Sequence, residues 1–258
     1  MVAIISKQIR VNNAGNFRDD IGTNSTYLYI GRSQQWPSSD TAIATPVDTV
    51  FDKNNVHQNM IALKKVAQSD VTHSITRYNW LSGTTYTPYD DQLATLSTAQ
   101  FYVITDELNV YKCLEAGAGA STVKPTGQTV NAANSATGDG YVWKFMYALS
   151  GTQATKFLTN SFIPINVLTS NDGSLQFQVQ SNAQAGSIHR IKVTGGGSGY
   201  TSTPTVTITG NGASATAAAT VVGGAVTEIT MSNIGSGYDE AAVAVSYTHL
   251  TLPTIVGV

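Results

Sequence analysis

The chain has 258 residues, enough to bury one sizeable core or two smaller ones, and 41% of them are hydrophobic, an ordinary proportion for a globular protein and one that argues against disorder. Only 12% are charged and the formal net charge is −2, so there is no electrostatic footprint for a nucleic-acid backbone or an anionic membrane. The single Cys113 excludes an intrachain disulfide, no metal or redox motif accompanies it, and no apolar run is long enough to span a bilayer. The opening MVAIISKQIR is too short and too soon polar for a secretory signal, so a soluble protein made in the cytoplasm is expected.

Glycine (23 residues), tyrosine (12) and abundant Thr, Ser, Val and Asn favour strands and turns over helices. Tyr27-Leu28-Tyr29-Ile30 reads as a short strand closed by Gly31. The apolar residues Val47, Val50, Phe51, Met60 and Ile61 hint at one helix between Val47 and Ala62, although its middle, Asp52-Lys53-Asn54-Asn55, is a poor helix former. Phe101–Ile104 and Val110–Leu114 read as a hairpin closed by the polar turn Thr105–Asn109.

Gly138-Asp139-Gly140 opens the most aromatic stretch. The odd positions Tyr141, Trp143, Phe145, Tyr147 and Leu149 are expected on one face of a strand, with Val142, Lys144, Met146 and Ala148 on the other. A phosphate cradle needs a helix after its glycines. Here a strand follows, so the glycines are expected to make a tight turn with positive φ. A second short helix is expected over Gly151–Leu158, where Ala154, Phe157 and Leu158 share a face.

After Leu168 the composition becomes small and polar, and a boundary is expected between residues 170 and 186. Beyond it Gly197-Ser198-Gly199-Tyr200 recurs as Gly235-Ser236-Gly237-Tyr238, each between alternating strand patterns. The reading is therefore residues 1–168 as the main β region, 169–187 as a connector and 188–245 as a two-copy repeat module. In 246–258 the phrase SYTHLTLPTI resembles a translated sequencing-library adapter, and this tail is expected not to be native.

Catalytic constellations do not emerge. His57, His73, His189 and His249 lack metal-ligand spacing. Asp70, His73 and Ser74 lie too close in sequence for triad geometry and lack a nucleophile elbow. The carboxylate pairs Asp19-Asp20, Asp90-Asp91 and Asp106-Glu107 are adjacent, so on a strand they point to opposite faces, and solvated turns explain them better. Arg32 and Arg77 each stand near a tryptophan, Trp36 and Trp80, and are expected to stack on an aromatic ring or pair with an aspartate, or else to contact a partner.

Several segments, in order, resemble a known family. SKQIRVNNAGNFRDDIG, YLYIGRSQQW, PVDTVFDKNNVHQNMIALKKV, ITRYNW, VYKCL and GDGYVWKFMYAL are similar to the dimeric baseplate wedge subunit of T-even-type contractile-tailed bacteriophages, and more so to its marine cyanophage versions. The resemblance runs from about Ser6 to Leu168; the glycine-tyrosine repeat departs from it. It implies a virion structural protein, not an enzyme, that forms a homodimer and joins other wedge proteins in the tail baseplate. No cofactor, metal, nucleic acid, membrane or small-molecule substrate is implied.

The expected fold is mainly β, with several domains of β-sandwich or barrel-like architecture, one or two short helices and a C-terminal Gly/Tyr-rich repetitive β module. Arg32, Trp36, Arg77, Trp80, Tyr141, Trp143, Phe145 and Tyr147 are the candidates for securing the core and positioning partner surfaces. A glycan-binding adhesin or tail-fibre-associated β module, its tyrosines and tryptophans stacking on sugars, is the alternative. A hydrolase acting on the host envelope lacks an acid-base pair.

Overall fold

The computed structural model describes residues 7–31, 41, 45, 48–90, 93–129, 138–165 and 167–246. The protein is mainly β, with 36% strand and 19% helix, and its antiparallel sheets include a half-barrel. The chain divides into two compact units, Met1–Ser74 and Ile75–Val258.

The first unit contains α1 (Lys7–Thr23), β1 (Thr26–Gly31), α2 (Val50–Gln58), β2 (Met60–Val66) and a 3-10 turn at Gln68–Asp70. Helix α2 starts where Thr49 accepts a hydrogen bond from the Asp52 amide at 3.1 Å, satisfying one of the donors that a helix start leaves free. It ends at Asn59, whose side-chain amide donates to the Asn55 carbonyl at 2.8 Å. The single helix expected from Val47 to Ala62 is thus shorter, and Met60 and Ile61 belong to β2, which pairs antiparallel with β1. Helix α1 was not anticipated; Ile9, Val11 and Phe17 on it are exposed and only Ile21 is buried, so it has no continuous apolar stripe to read.

The second unit begins within β3 (His73–Thr76) and continues through β4 (Tyr102–Ile104), β5 (Asn109–Glu115), β6 (Val142–Ala148), α3 (Gly151–Phe157), β7 (Phe162–Ile165) and α4 (Leu175–Ser181). The expected hairpin is present: Tyr102 faces Lys112, Val103 faces Tyr111 and Ile104 faces Val110, with Leu108 at φ 62° in the turn. Helix α3 also stands where expected, opened by a reciprocal cap between Ser150 and Gln153. Helix α4, inside the expected connector, packs on β6 and buries Val179. With α1 it brings the described α-helices to four, two more than the sequence reading allowed.

Strand β6 corrects the sequence reading in one respect. Tyr111 of β5 faces Phe145 and Val110 faces Tyr147, so Met146 is an extra residue on β6. Such a bulge reverses the alternation of side chains beyond it. Tyr141, Trp143 and Phe145 accordingly join one core with Tyr86, Tyr111, Cys113 and Val179. Tyr147 and Leu149 join another with Ile104, Val110 and Ile163. The aromatic row is split between two cores, and no single face carries all of it.

The remaining strands, β8 (Thr205–Gly210), β9 (Ala213–Val222), β10 (Ala225–Ser236) and β11 (Ala241–Ser246), form one sheet in the order β10-β9-β8-β11. Strands β9 and β10 are joined through Gly223 and Gly224, at φ 62° and 78°, as a two-residue hairpin turn with right-handed strand twist requires. The glycines of the two GSGY segments share positive φ, 64° and 61° at the first position and 82° and 73° at the third. Tyr200 and Tyr238 are both buried in the core of this sheet. The chain beyond Ser246, which holds nearly all of the tail expected not to be native, lies outside the described residues.

Candidate interaction surface

The glycine pair at 138 and 140 serves a carboxylate clamp. Gly140 has φ 82°, and the turn aims Asp139 at the neighbouring loop. One Asp139 oxygen accepts from the Thr122 and Val123 amides at 2.7 and 2.9 Å and from the Ser121 hydroxyl at 3.1 Å; the other accepts from the Tyr141 amide at 3.2 Å. These donors come from the chain itself. The segment closes a loop onto the start of β6 and holds no cradle for a ligand.

The candidate aromatics are core residues. Tyr141, Trp143, Phe145 and Tyr147 are all buried. Tyr86 meets Trp143 edge-on at 5.3 Å and Tyr141 stacks on Trp143 at 5.8 Å, arrangements that the ring quadrupoles favour. Burial pushes the Tyr147 hydroxyl pKa up, and that hydroxyl donates to the Pro164 carbonyl at 3.1 Å. Burial likewise pushes the Cys113 thiol up to about 12, which leaves it an inert core residue.

Trp80 is half-buried against the first core, and its indole donates to the Ser121 hydroxyl at 3.1 Å. Among the described residues Arg77 meets neither a ring nor an aspartate: its Nε donates to Asn79 Oδ1 and its Nη1 to the Thr159 carbonyl, each at 2.8 Å. It ties the segment just after β3 to the loop before β7. Arg32 and Trp36 lie outside the described residues.

Asp70 accepts from the Ala67 amide and pairs with Lys64 at 3.4 Å, whereas His73 faces the Ala14 carbonyl at 3.1 Å; the two do not form a relay. Among the described residues no cluster of three His, Cys, Asp or Glu could hold a metal ion. Asp106 and Glu107 both engage Lys124 in the hairpin turn, and hydrogen bonding to that lysine lowers the Glu107 pKa to about 2.

The surface that stands out is the β1–β2 sheet. Tyr27 lies opposite Lys65 and Tyr29 opposite Leu63, which puts these four on one face; Leu28, Ile30, Ala62 and Lys64 occupy the other. Both faces are open: Tyr29 is 48% exposed, Leu63 56%, Leu28 62% and Ile30 62%. Ile61, 63% exposed, sits where the pairing shifts between Ile30 and Gly31. On the neighbouring helix Val50 and Phe51 are also exposed. With Tyr27, the exposed sheet side chains amount to an apolar area on the order of 600 Å², taking roughly 100 Å² for each half-exposed large residue. That area is divided between the two faces of one two-stranded sheet, and large apolar side chains left open on both faces mark it as the candidate interaction surface. The signal was present in YLYI and MIALKKV, which lack the polar alternation of a sheet with one solvated face.

No protein-family model matches the chain. It is 23% identical over 201 residues to the baseplate wedge protein gp8 of Enterobacteria phage T4, a match covering 63% of this chain. The matched stretch spans 60% of the length of that relative.

Proposed function

We propose that the chain is a structural subunit of a contractile-tail baseplate wedge, of the cyanophage-like kind, that acts in the virion by binding a second copy of itself and other wedge proteins. The observation that carries the reading is the β1–β2 sheet, apolar on both faces and covered on neither. A two-stranded sheet is marginal by itself in water, and its exposed apolar side chains would supply part of the roughly 800 Å² per partner that a stable interface buries. The similarity to a baseplate wedge protein supplies the setting, and the ordered motifs from Ser6 to Leu168 support it. The buried aromatics of β6 serve as scaffold. In this reading residues 1–168 are the wedge-like part, 169–187 the connecting segment and 188–245 an added repeat module.

Light scattering after size exclusion tests the proposal on the full chain. A dimer that Tyr29→Glu with Leu63→Glu, or Leu28→Glu with Ile30→Glu, converts to a folded monomer supports it. A monomeric parent that binds none of the wedge proteins encoded beside it removes the support. The adhesin alternative loses ground because Tyr200 and Tyr238 are buried and present no stacking platform for a sugar.

A further inference from the structure

We infer that Glu115, Arg190 and Glu228, with the adjoining Lys144–His189–Ser187 chain, form a polar latch that docks the C-terminal sheet on the aromatic sheet and allows the two to separate as folded bodies.

The segment 188–192 has two sides. Ile188 and Ile191 are buried in the core of the C-terminal sheet, the first tied by its amide to the Ile234 carbonyl at 2.8 Å, the second by a bridge to Ile229. His189 and Arg190 reach the other way, to β6 and β5. Arg190 Nε donates to Glu115 Oε2 at 2.7 Å, and its Nη1 donates to Glu228 Oε1 at 3.0 Å. Lys144 Nζ lies 3.3 Å from His189 Nδ1, and His189 Nε2 lies 3.2 Å from the Ser187 hydroxyl.

Strand β5 is shaped for this contact. Glu115 would share the Cys113 side if the strand alternated without interruption. The pairing shifts between Cys113 and Glu115, so that Glu115 faces Val142. Leu114 is the extra residue, and the bulge turns Glu115 onto the face that carries Lys112 and Lys144, which pair across the strands. That side is rich in cations: Lys112 packs over the Tyr89 ring at 4.3 Å and Lys192 lies 3.8 Å from Glu115. Glu115 is the carboxylate that β5 offers to Arg190.

The side-chain contacts named above between the two sheets, Arg190 and Lys192 to Glu115 and Lys144 to His189, are polar. No residue belongs to both the aromatic core and the core of the C-terminal sheet, and among the described residues no strand of β4–β6 is paired with one of β8–β11. An apolar seam would fuse the two cores. A charged one holds through a few groups whose pairing a competing charge can replace, at a cost set by how well the freed groups are solvated. Arg190 and Glu115 keep only 20% and 17% of their side chains exposed, so the pair is tight while closed.

Hydrogen exchange of the full chain across a denaturant series, followed by mass spectrometry, reads the latch by comparing β6 with β10. In the parent the two strands lose protection together. In Glu115→Gln and in Arg190→Met, β10 loses protection at lower denaturant than β6, and its thermal transition falls by about 5 °C or more. The double variant is no worse than the weaker single. Glu228→Gln, which frees only one arm of Arg190, shifts β10 in the same direction by less, and it serves should either stronger variant fail to fold. Simultaneous loss of protection in the variants, additive effects in the double variant, or separate transitions already in the parent would overturn the latch.

Discussion

Replacing Asp139 by alanine tests whether the GDG turn works as a clamp. The substitution removes a carboxylate that receives four donors, three of them within 3.1 Å, and leaves the Thr122 and Val123 amides without their acceptor. Hydrogen bonds to a charged group contribute about 1.5–3 kcal/mol each when shielded, and water reaching this part-exposed loop reduces that. A total loss of about 3 kcal/mol is the reasonable magnitude. Because Tyr141 follows directly and Trp143 lies two residues beyond, urea unfolding monitored by tryptophan fluorescence reports the same region. With a slope of roughly 2 kcal/mol per molar urea, the midpoint falls by about 1.5 M. Asp139→Asn keeps one acceptor oxygen and falls by less than half as much, whereas Asp106→Asn in the exposed hairpin turn leaves the midpoint unmoved. A shift in Asp139→Ala no larger than that of Asp106→Asn would refute the clamp and reopen the ligand reading of the glycines.

The other predictions concern the core, the turns and pH. Trp143→Ala lowers stability by about 3–5 kcal/mol, as a fully buried ring should, while Tyr147→Phe costs about 1 kcal/mol for the lost bond to Pro164; denaturation curves check both. Gly235→Ala costs about 2 kcal/mol or more, since its φ is 61° and a Cβ would lie 2.6 Å from the Ala213 carbonyl, whereas Gly138→Ala meets open space and is neutral. Burial lowers the Lys144 pKa to about 8, so above pH 8 the native state sheds a proton that the unfolded chain keeps, and stability rises towards pH 10.5. Burial, with help from Lys144, holds His189 at about 4, so stability falls as pH drops from 6.5 towards 4. Thermal melts of His189→Asn flatten the acid limb, and those of Lys144→Met flatten the alkaline one.

Features set by neighbouring residues were legible in the sequence. The hairpin around Thr105–Asn109 and the capped helix after Ser150 each follow from turn chemistry or local alternation. What depends on a distant strand was not. The extra residue at Met146 exists only in relation to the register of Val110 and Tyr111, so strict alternation wrongly placed Tyr147 beside Phe145. Leu114 hid in the same way, and with it the turn of Glu115 towards Arg190, 75 residues away. Helix α1 carries no clean stripe because most of its apolar residues are exposed, and β2 passed for a helix because Met60 and Ile61 continued the spacing of Val50 and Phe51. For Arg77 the sequence left a ring, an aspartate or a partner open, and did not suggest the Asn79 side-chain oxygen and the distant Thr159 carbonyl that its donors reach.

The most direct test of the central claim is amide exchange in Thr26–Gly31 and Met60–Val66, compared between the isolated chain and its complex with the wedge proteins encoded beside it. The account predicts that protection of both strands rises on assembly, while β6, already enclosed by its own cores, changes little. A complex that forms and leaves these two strands as exchangeable as before would contradict it.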